Sequence, residues 1–318
     1  MRTKRGFTIV ELLTVMGVIS VLIGLMVPAL ALVKDYSKRI QQKAQFHGID
    51  MGMEMFKTEF GSYPRSDDNS LLAVAPADPT EYCGANKLAE AMVGLDLIGF
   101  HPNADFRSDG QNTVADNLGI PQTLNVYDTQ GTNAWWQDGQ ENIDSRKGPF
   151  VDLEHANAFR MNEVYPNPAP FTANFQTLDA SGANVTLYPL VLCDVYAQKR
   201  SGMGAKKTGT PILYFRARTN YSQQNYSIDN DAKNDIYNLE DNINLLSLGM
   251  PNDGTTFSVY TSGTGDVLEN FENMIVNENV QTIRRPYRAD AYILISAGKD
   301  GDFGTADDVF NFDKEVTE

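Results

Sequence analysis

Carboxylates stand at two places in this 318-residue chain where they are costly. Near the C-terminus, Asp300, Asp302, Asp307 and Asp308 crowd into nine residues, interleaved with Gly298, Gly301 and Gly304. Like charges this close repel unless a cation neutralises them, and the glycines let the backbone wrap tightly and turn carbonyls inward. Calcium suits such a loop, since it takes six to eight oxygens in flexible geometry. Zinc is disfavoured, because no thiolate or imidazole is nearby. Near the N-terminus, Glu11 is the sole ionisable side chain within residues 7–33. A carboxylate in a bilayer centre costs about 2.5–3.5 kcal/mol on insertion scales. A residue kept there has a task, and pairing with a cation is the chemistry open to it.

The elements that must position these groups follow from the pattern. Residues 7–33, as a helix, reach roughly 40 Å, and a bilayer core needs only about 20 such residues. The leader MRTKRG carries Arg2, Lys4 and Arg5, which hold the N-terminus on the cytoplasmic side and the body outside. A cleaved secretory signal would use Ala29-Leu30-Ala31 as its small-residue site. The apolar run is, however, far longer than the usual length of about 7–15 residues. A plain anchor explains the length and leaves Glu11 unexplained. Gly17 and Gly24 either permit close helix approach or are simply tolerated in a membrane helix.

Gly6-Phe7-Thr8-Ile9-Val10-Glu11-Leu12 resembles the processing site of the type IV pilin family, which includes the pseudopilins of type II secretion. The resemblance implies cleavage after Gly6 by a prepilin peptidase, methylation of Phe7 by the same enzyme, and Glu11 as fifth residue of the mature chain. Pro28 stands where many members carry a helix-softening proline. The expected assembly step pairs Glu11 of one subunit with the new amine at Phe7 of its neighbour. Implied partners are the peptidase/methyltransferase, other pilin-like subunits, an inner-membrane assembly platform and membrane lipid. The implied location is single-pass in the inner membrane with a periplasmic body, then a filament.

Residues 34–60 continue the helix. Phe46, Ile49, Met53, Phe56 and Phe60 fall at spacings of 3, 4, 3 and 4, one helical face, which Met51 and Met55 are expected to widen. Gly48 and Gly52 would admit a neighbouring element, and His47 reads as structural. Gly61-Ser62-Tyr63-Pro64 should stop the helix. The stretch from Met55 to Pro64 also resembles the end of the long helix in the major pseudopilins.

The net charge is −15, or −18 once the leader is lost, and so acidic a body is a poor nucleic-acid ligand. Cys83 and Cys193 fit either a disulfide or two buried thiols. The three histidines, at 47, 101 and 155, share no metal-ligand spacing, and HExxH, GxSxG and CxxC are absent. Residues 65–184 have little periodicity. A short helix is expected at 85–97 amid long loops, 101–149 and 162–184, and 61–184 as a whole reads as an insertion on the filament surface. Trp135-Trp136 is a core pair or an exposed, sugar-binding one. Strands are expected at 184–195, 211–218, 256–261 and 291–296, the last central because it is apolar throughout. The glycine-rich loop 198–210 lacks P-loop order. Asp229, Asp231 and Asp235 could approach a cation but lack the glycine of a calcium loop.

Residues 296–309 resemble the calcium loop of the major pseudopilins, with Lys299 for a neutral residue and Phe312 where tryptophan is common. By resemblance, Asp300, Asp302, Asp307 and Asp308 hold a structural calcium. The expected fold is α+β. A cleaved leader (1–6) precedes a membrane and filament-core helix (7–33) and its amphipathic continuation (34–60). The insertion (61–184) and an antiparallel sheet bearing the calcium loop (185–318) follow. The function implied is that of a structural filament subunit rather than an enzyme. A membrane-anchored binding module, for instance for carbohydrate, or an anchored hydrolase is the alternative, and neither has a reason to keep Glu11 in lipid.

Overall fold

A computed structural model describes residues 8–67, 82–115, 121–129, 139–178, 182–197, 207–220, 235–251, 254–261, 267–280 and 282–314. Its helices are α1 (Ile9–Phe60), α2 (Gly84–Val93), α3 (Gly139–Asp144), α4 (Leu153–Ala156), α5 (Met161–Val164), α6 (Ile243–Ser247), α7 (Ser258–Thr261) and α8 (Val267–Ile275). Its strands are β1 (Gln111–Ala115), β2 (Pro121–Asn125), β3 (Ala158–Arg160), β4 (Phe175–Leu178), β5 (Asn184–Leu187), β6 (Leu190–Leu192), β7 (Leu213–Arg216), β8 (Tyr292–Ser296) and β9 (Val309–Phe310). The fold is mixed α+β, a long N-terminal helix followed by small antiparallel sheets and irregular connections. The chain divides into two compact units, residues 1–41 and 42–318.

The first unit is helical from Ile9 onward, and its large apolar side chains, from Ile9 to Val33, are all exposed. It is long and apolar enough to cross a membrane. Pro28 lies inside the helix, where it removes one backbone hydrogen bond.

In the second unit, the rest of α1 buries Phe46, Ile49, Met53 and Phe56. Polar groups tie this half down. Asp50 Oδ1 accepts from the Tyr292 hydroxyl at 2.5 Å and from Asn311 Nδ2 at 3.1 Å, and Gln42 Oε1 accepts from the Val195 amide at 2.9 Å. The apolar stripe is narrower than expected, since Met51 and Met55 are exposed, as is His47. The glycines also differ. A Cβ on Gly52 would lie 2.9 Å from the Phe150 carbonyl and from Val151, whereas Gly48 faces open space. The helix ends at Phe60, where the Gly61 amide bonds back to the Lys57 carbonyl.

β7, β8 and β9 form an antiparallel sheet with Leu213 opposite Ile295 and Ser296 opposite Val309. A bridge from Cys193 to Pro211 continues it toward β6, which pairs with β3. This wall separates two apolar clusters. Tyr214, Tyr292 and Leu294 face one, with the α1 stripe; Phe215, Ile293 and Ile295 face the other. Burial on both faces explains why β8 reads as an unbroken apolar run. Cys83 and Cys193 are both buried free thiols.

The structure corrects several expectations. α2 is interior along all ten residues rather than part of a surface decoration. Its polar side chains find distant partners: Glu90 accepts from the hydroxyls of Tyr82 and Tyr127, and Asn86 donates to the Leu190 carbonyl. The expected loops 101–149 and 162–184 contain the β1–β2 and β4–β5 hairpins. The expected strand 184–195 breaks into β5 and β6 at Pro189, which has no amide to donate. Residues 258–261, expected as strand, are helical in α7, because the Asp302 carboxylate caps the amide of Ser258 from 44 residues away. Trp135, Trp136, Asp229, Asp231 and residues 198–206 lie outside the described residues.

Two consequences can be measured. Gly48→Ala should raise stability by about 0.5–1 kcal/mol through helix propensity. Gly52→Ala should lower it, by about 1 kcal/mol or more, through overpacking; equal effects in denaturant titrations would contradict the packing described. Burial pushes Glu272 up to about 7, with Arg284 at 3.3 Å pulling the other way. A carboxyl raised on folding contributes stability that is complete below its unfolded value, near 4.5, and is lost as pH rises through about 7. Glu272→Gln should therefore leave the melting temperature near pH 4.5 unchanged and raise it at pH 8, by roughly 2–4 °C per kcal/mol recovered at this size.

Candidate assembly and cation sites

Glu11 sits in the first turn of α1 and is engaged locally. The Thr8 amide and hydroxyl donate to Glu11 Oε2 at 2.9 and 2.8 Å, and the Glu11 amide donates back to Thr8 Oγ1 at 3.2 Å. This reciprocal pattern is a capping box, which satisfies two helix-end donors at once. Thr8 was not singled out among the sequence candidates, although the Thr-x-x-Glu spacing carries the signal. Gly6 and Phe7, the expected processing residues, lie outside the described residues, and Pro28 falls mid-helix.

The acidic loop joins β8 to β9 in the second unit. Gly298, at φ +67°, passes so close to the Asp307 carbonyl that any Cβ would collide, and Gly304, at φ +97°, packs likewise on Val259. Asp307 collects the amides of Lys299 and Asp300 at 2.7 and 3.1 Å and the Thr305 hydroxyl at 2.6 Å. Burial opposes its ionisation, yet those donors hold it below the usual carboxylate range. Burial and the neighbouring Asp307 raise Asp300. Asp308 is 5% exposed, with Oδ2 on the Gly304 amide at 2.9 Å and Oδ1 buried without a hydrogen-bond partner. Burial, aided by the charges of Asp307 and Asp300, pushes it up to about 8.

Asp302 points elsewhere. Its two oxygens take the amide and hydroxyl of Ser258 at 2.6 and 2.5 Å, fastening the loop to α7. Among the described residues, no three His, Cys, Asp or Glu side chains are grouped to hold a metal by themselves. A cation here would need backbone or water oxygens beside the carboxylates.

Among the described residues, Ser145 and His101 form the pair closest to hydrolase chemistry, at 3.1 Å. The Asn103 amide donates to His101 Nδ1, which leaves the ring proton on Nε2, facing Ser145, whose hydroxyl donates to the Asn142 carbonyl. An imidazole already protonated toward the serine cannot take its proton. Burial, then Arg146, lowers His101 to about 4, so the ring is a neutral structural group.

Residues 1–27 match the family model described as Prokaryotic N-terminal methylation motif. No curated protein and no solved structure matches the chain. The chain thus carries a prepilin-type N-terminal motif at the head of a helix long and apolar enough to cross a membrane.

Proposed function

We propose that this chain is a structural subunit of a type IV-like filament, with the pseudopilus of type II secretion as the favoured setting. The observation that carries the reading is the coincidence of the methylation motif with an α1 whose apolar side chains are bare from Ile9 to Val33. The prepilin peptidase would cut after Gly6 and methylate Phe7, and an inner-membrane assembly platform would take up the subunit. Before assembly, Thr8 supplies Glu11 with donors that reduce the cost of a carboxylate in lipid. In the filament, the neighbour's Phe7 amine offers a full positive charge, a stronger partner than two neutral donors.

The acidic loop fits a structural calcium in this reading. Asp308 has an orphaned, buried oxygen, and Asp300 and Asp307 add charge beside it. The carboxylates would act together with backbone and water oxygens, since no three of these side chains are grouped as a ligand set, and Asp302 braces the loop on Ser258. Bound calcium supplies positive charge that removes the repulsion, and because it binds only the folded state it stabilises the fold, with the logarithm of its concentration once above Kd.

Glu11→Ala should leave processing and membrane insertion intact while filaments, imaged by electron microscopy, fail to form; normal filaments would refute the assembly role. Calcium at a hundredfold its Kd should stabilise the protein by about 2.7 kcal/mol. Chelation should lower the melting temperature of the native protein and leave Asp308→Asn unchanged. A melting temperature indifferent to chelator would remove calcium from the account.

A further inference from the structure

The apolar run of α1 gives way abruptly at Lys34, and residues 34–40 (KDYSKRI) continue the same helix. Lys34 and Arg39 are exposed there, and neither makes a hydrogen bond or ion pair with any described residue. Tyr36 is 68% exposed and Ile40 52%. Asp35 and Lys38 are half-buried and already engaged. Two bare cations and a bare tyrosine thus follow directly on a helix long and apolar enough to cross a membrane, in a chain whose net charge is −15.

Geometry selects the partner. As a helix, Ile9–Val33 spans roughly 37 Å, and a hydrocarbon core is about 30 Å thick, so Lys34 arrives at the level of the headgroups. Side chains on a helix tilt toward its N-terminus, so Lys34 and Arg39 both lean back toward the bilayer. Long cationic side chains in that position lay their stems on apolar surface and keep the charge at the interface. Tyrosine suits the same level, its ring at the apolar boundary and its hydroxyl among polar groups. Lys34 and Arg39 stand roughly 140° apart around the helix axis. One flat protein face cannot meet both, whereas a headgroup layer surrounds the helix on all sides. We propose that Lys34 and Arg39 bind the phosphates of anionic lipid headgroups in the leaflet from which α1 emerges. The proposal rests on the membrane reading of α1. These contacts fix the depth at which the helix sits, and they must break when a subunit leaves the bilayer for a filament.

The test uses the full chain. It is reconstituted in vesicles of equal phosphatidylglycerol and phosphatidylcholine and released in mild detergent, and its bound lipids are counted by native mass spectrometry. Phosphatidylglycerol should be retained in preference by about tenfold or more, since a cation near an anionic surface contributes about 1 kcal/mol, or about fivefold. Lys34→Gln combined with Arg39→Gln should abolish the preference, and each single variant should fall between. Arg285→Gln, which removes an exposed cation of the body, should retain lipid as wild type does. Equal retention of the two lipids by the wild-type chain overturns the proposal, as does an undiminished preference in the double variant. A carbonate wash of the vesicles before release separates the two readings. A chain that resists the wash and shows no preference overturns this proposal alone; a chain stripped off by it overturns the membrane reading as well.

Discussion

An apolar surface without a covering is the constraint on which the rest depends. From Ile9 to Val33 the large aliphatic side chains of α1 are exposed, at 48% or more of their possible area. Leaving them in water would forgo on the order of 20 kcal/mol of burial. Such a helix needs lipid or other helices around it, and in lipid every uncompensated charge becomes expensive. Glu11 is compensated inside its own first turn, by Thr8. In the proposed reading, that local solution is what a neighbouring amine replaces.

The body meets the same electrostatic difficulty in different ways. Glu90 is buried but fully met by two tyrosine hydroxyls, and Asp50 by Tyr292 and Asn311. Asp302 is met by Ser258, which joins the loop after β8 to α7. Asp308 is the exception in the loop, with one buried oxygen left over beside further carboxylates. A wall of strands buried on both faces carries these groups, so that loop, helix stripe and second core share one rigid support.

Features with local causes were legible in the sequence. The end of α1 is punctuated by Gly61 and Pro64, and the helix stops there. β8 is buried at every position, and its apolar run from Tyr292 to Ile295 reflects cover on both faces. Features with distant causes were not. The alternating Phe257-Ser258-Val259-Tyr260 suggests a strand, and distant contacts from the acidic loop, the carboxylate of Asp302 on Ser258 and the Phe303 carbonyl on the Val259 amide, hold it as helix. α2 has the polar residues of a surface helix, and its burial rests on Tyr82, Tyr127 and Leu190, which no periodicity reveals. At the candidate sites, Glu11 stood out by its apolar surroundings, while its tie to Thr8 lay in a short spacing overshadowed by the hydrophobic run. The diversion of Asp302 from its neighbouring carboxylates depends on Ser258 and could not be read from the loop alone.

The central claim is that α1 is a processed, lipid-tolerant filament helix. Mass spectrometry of the N-terminal peptide of the native protein tests it most directly. The account predicts a chain that begins at Phe7 with a methylated amine. A chain that begins at Met1, or at a residue beyond Ala31, would contradict it.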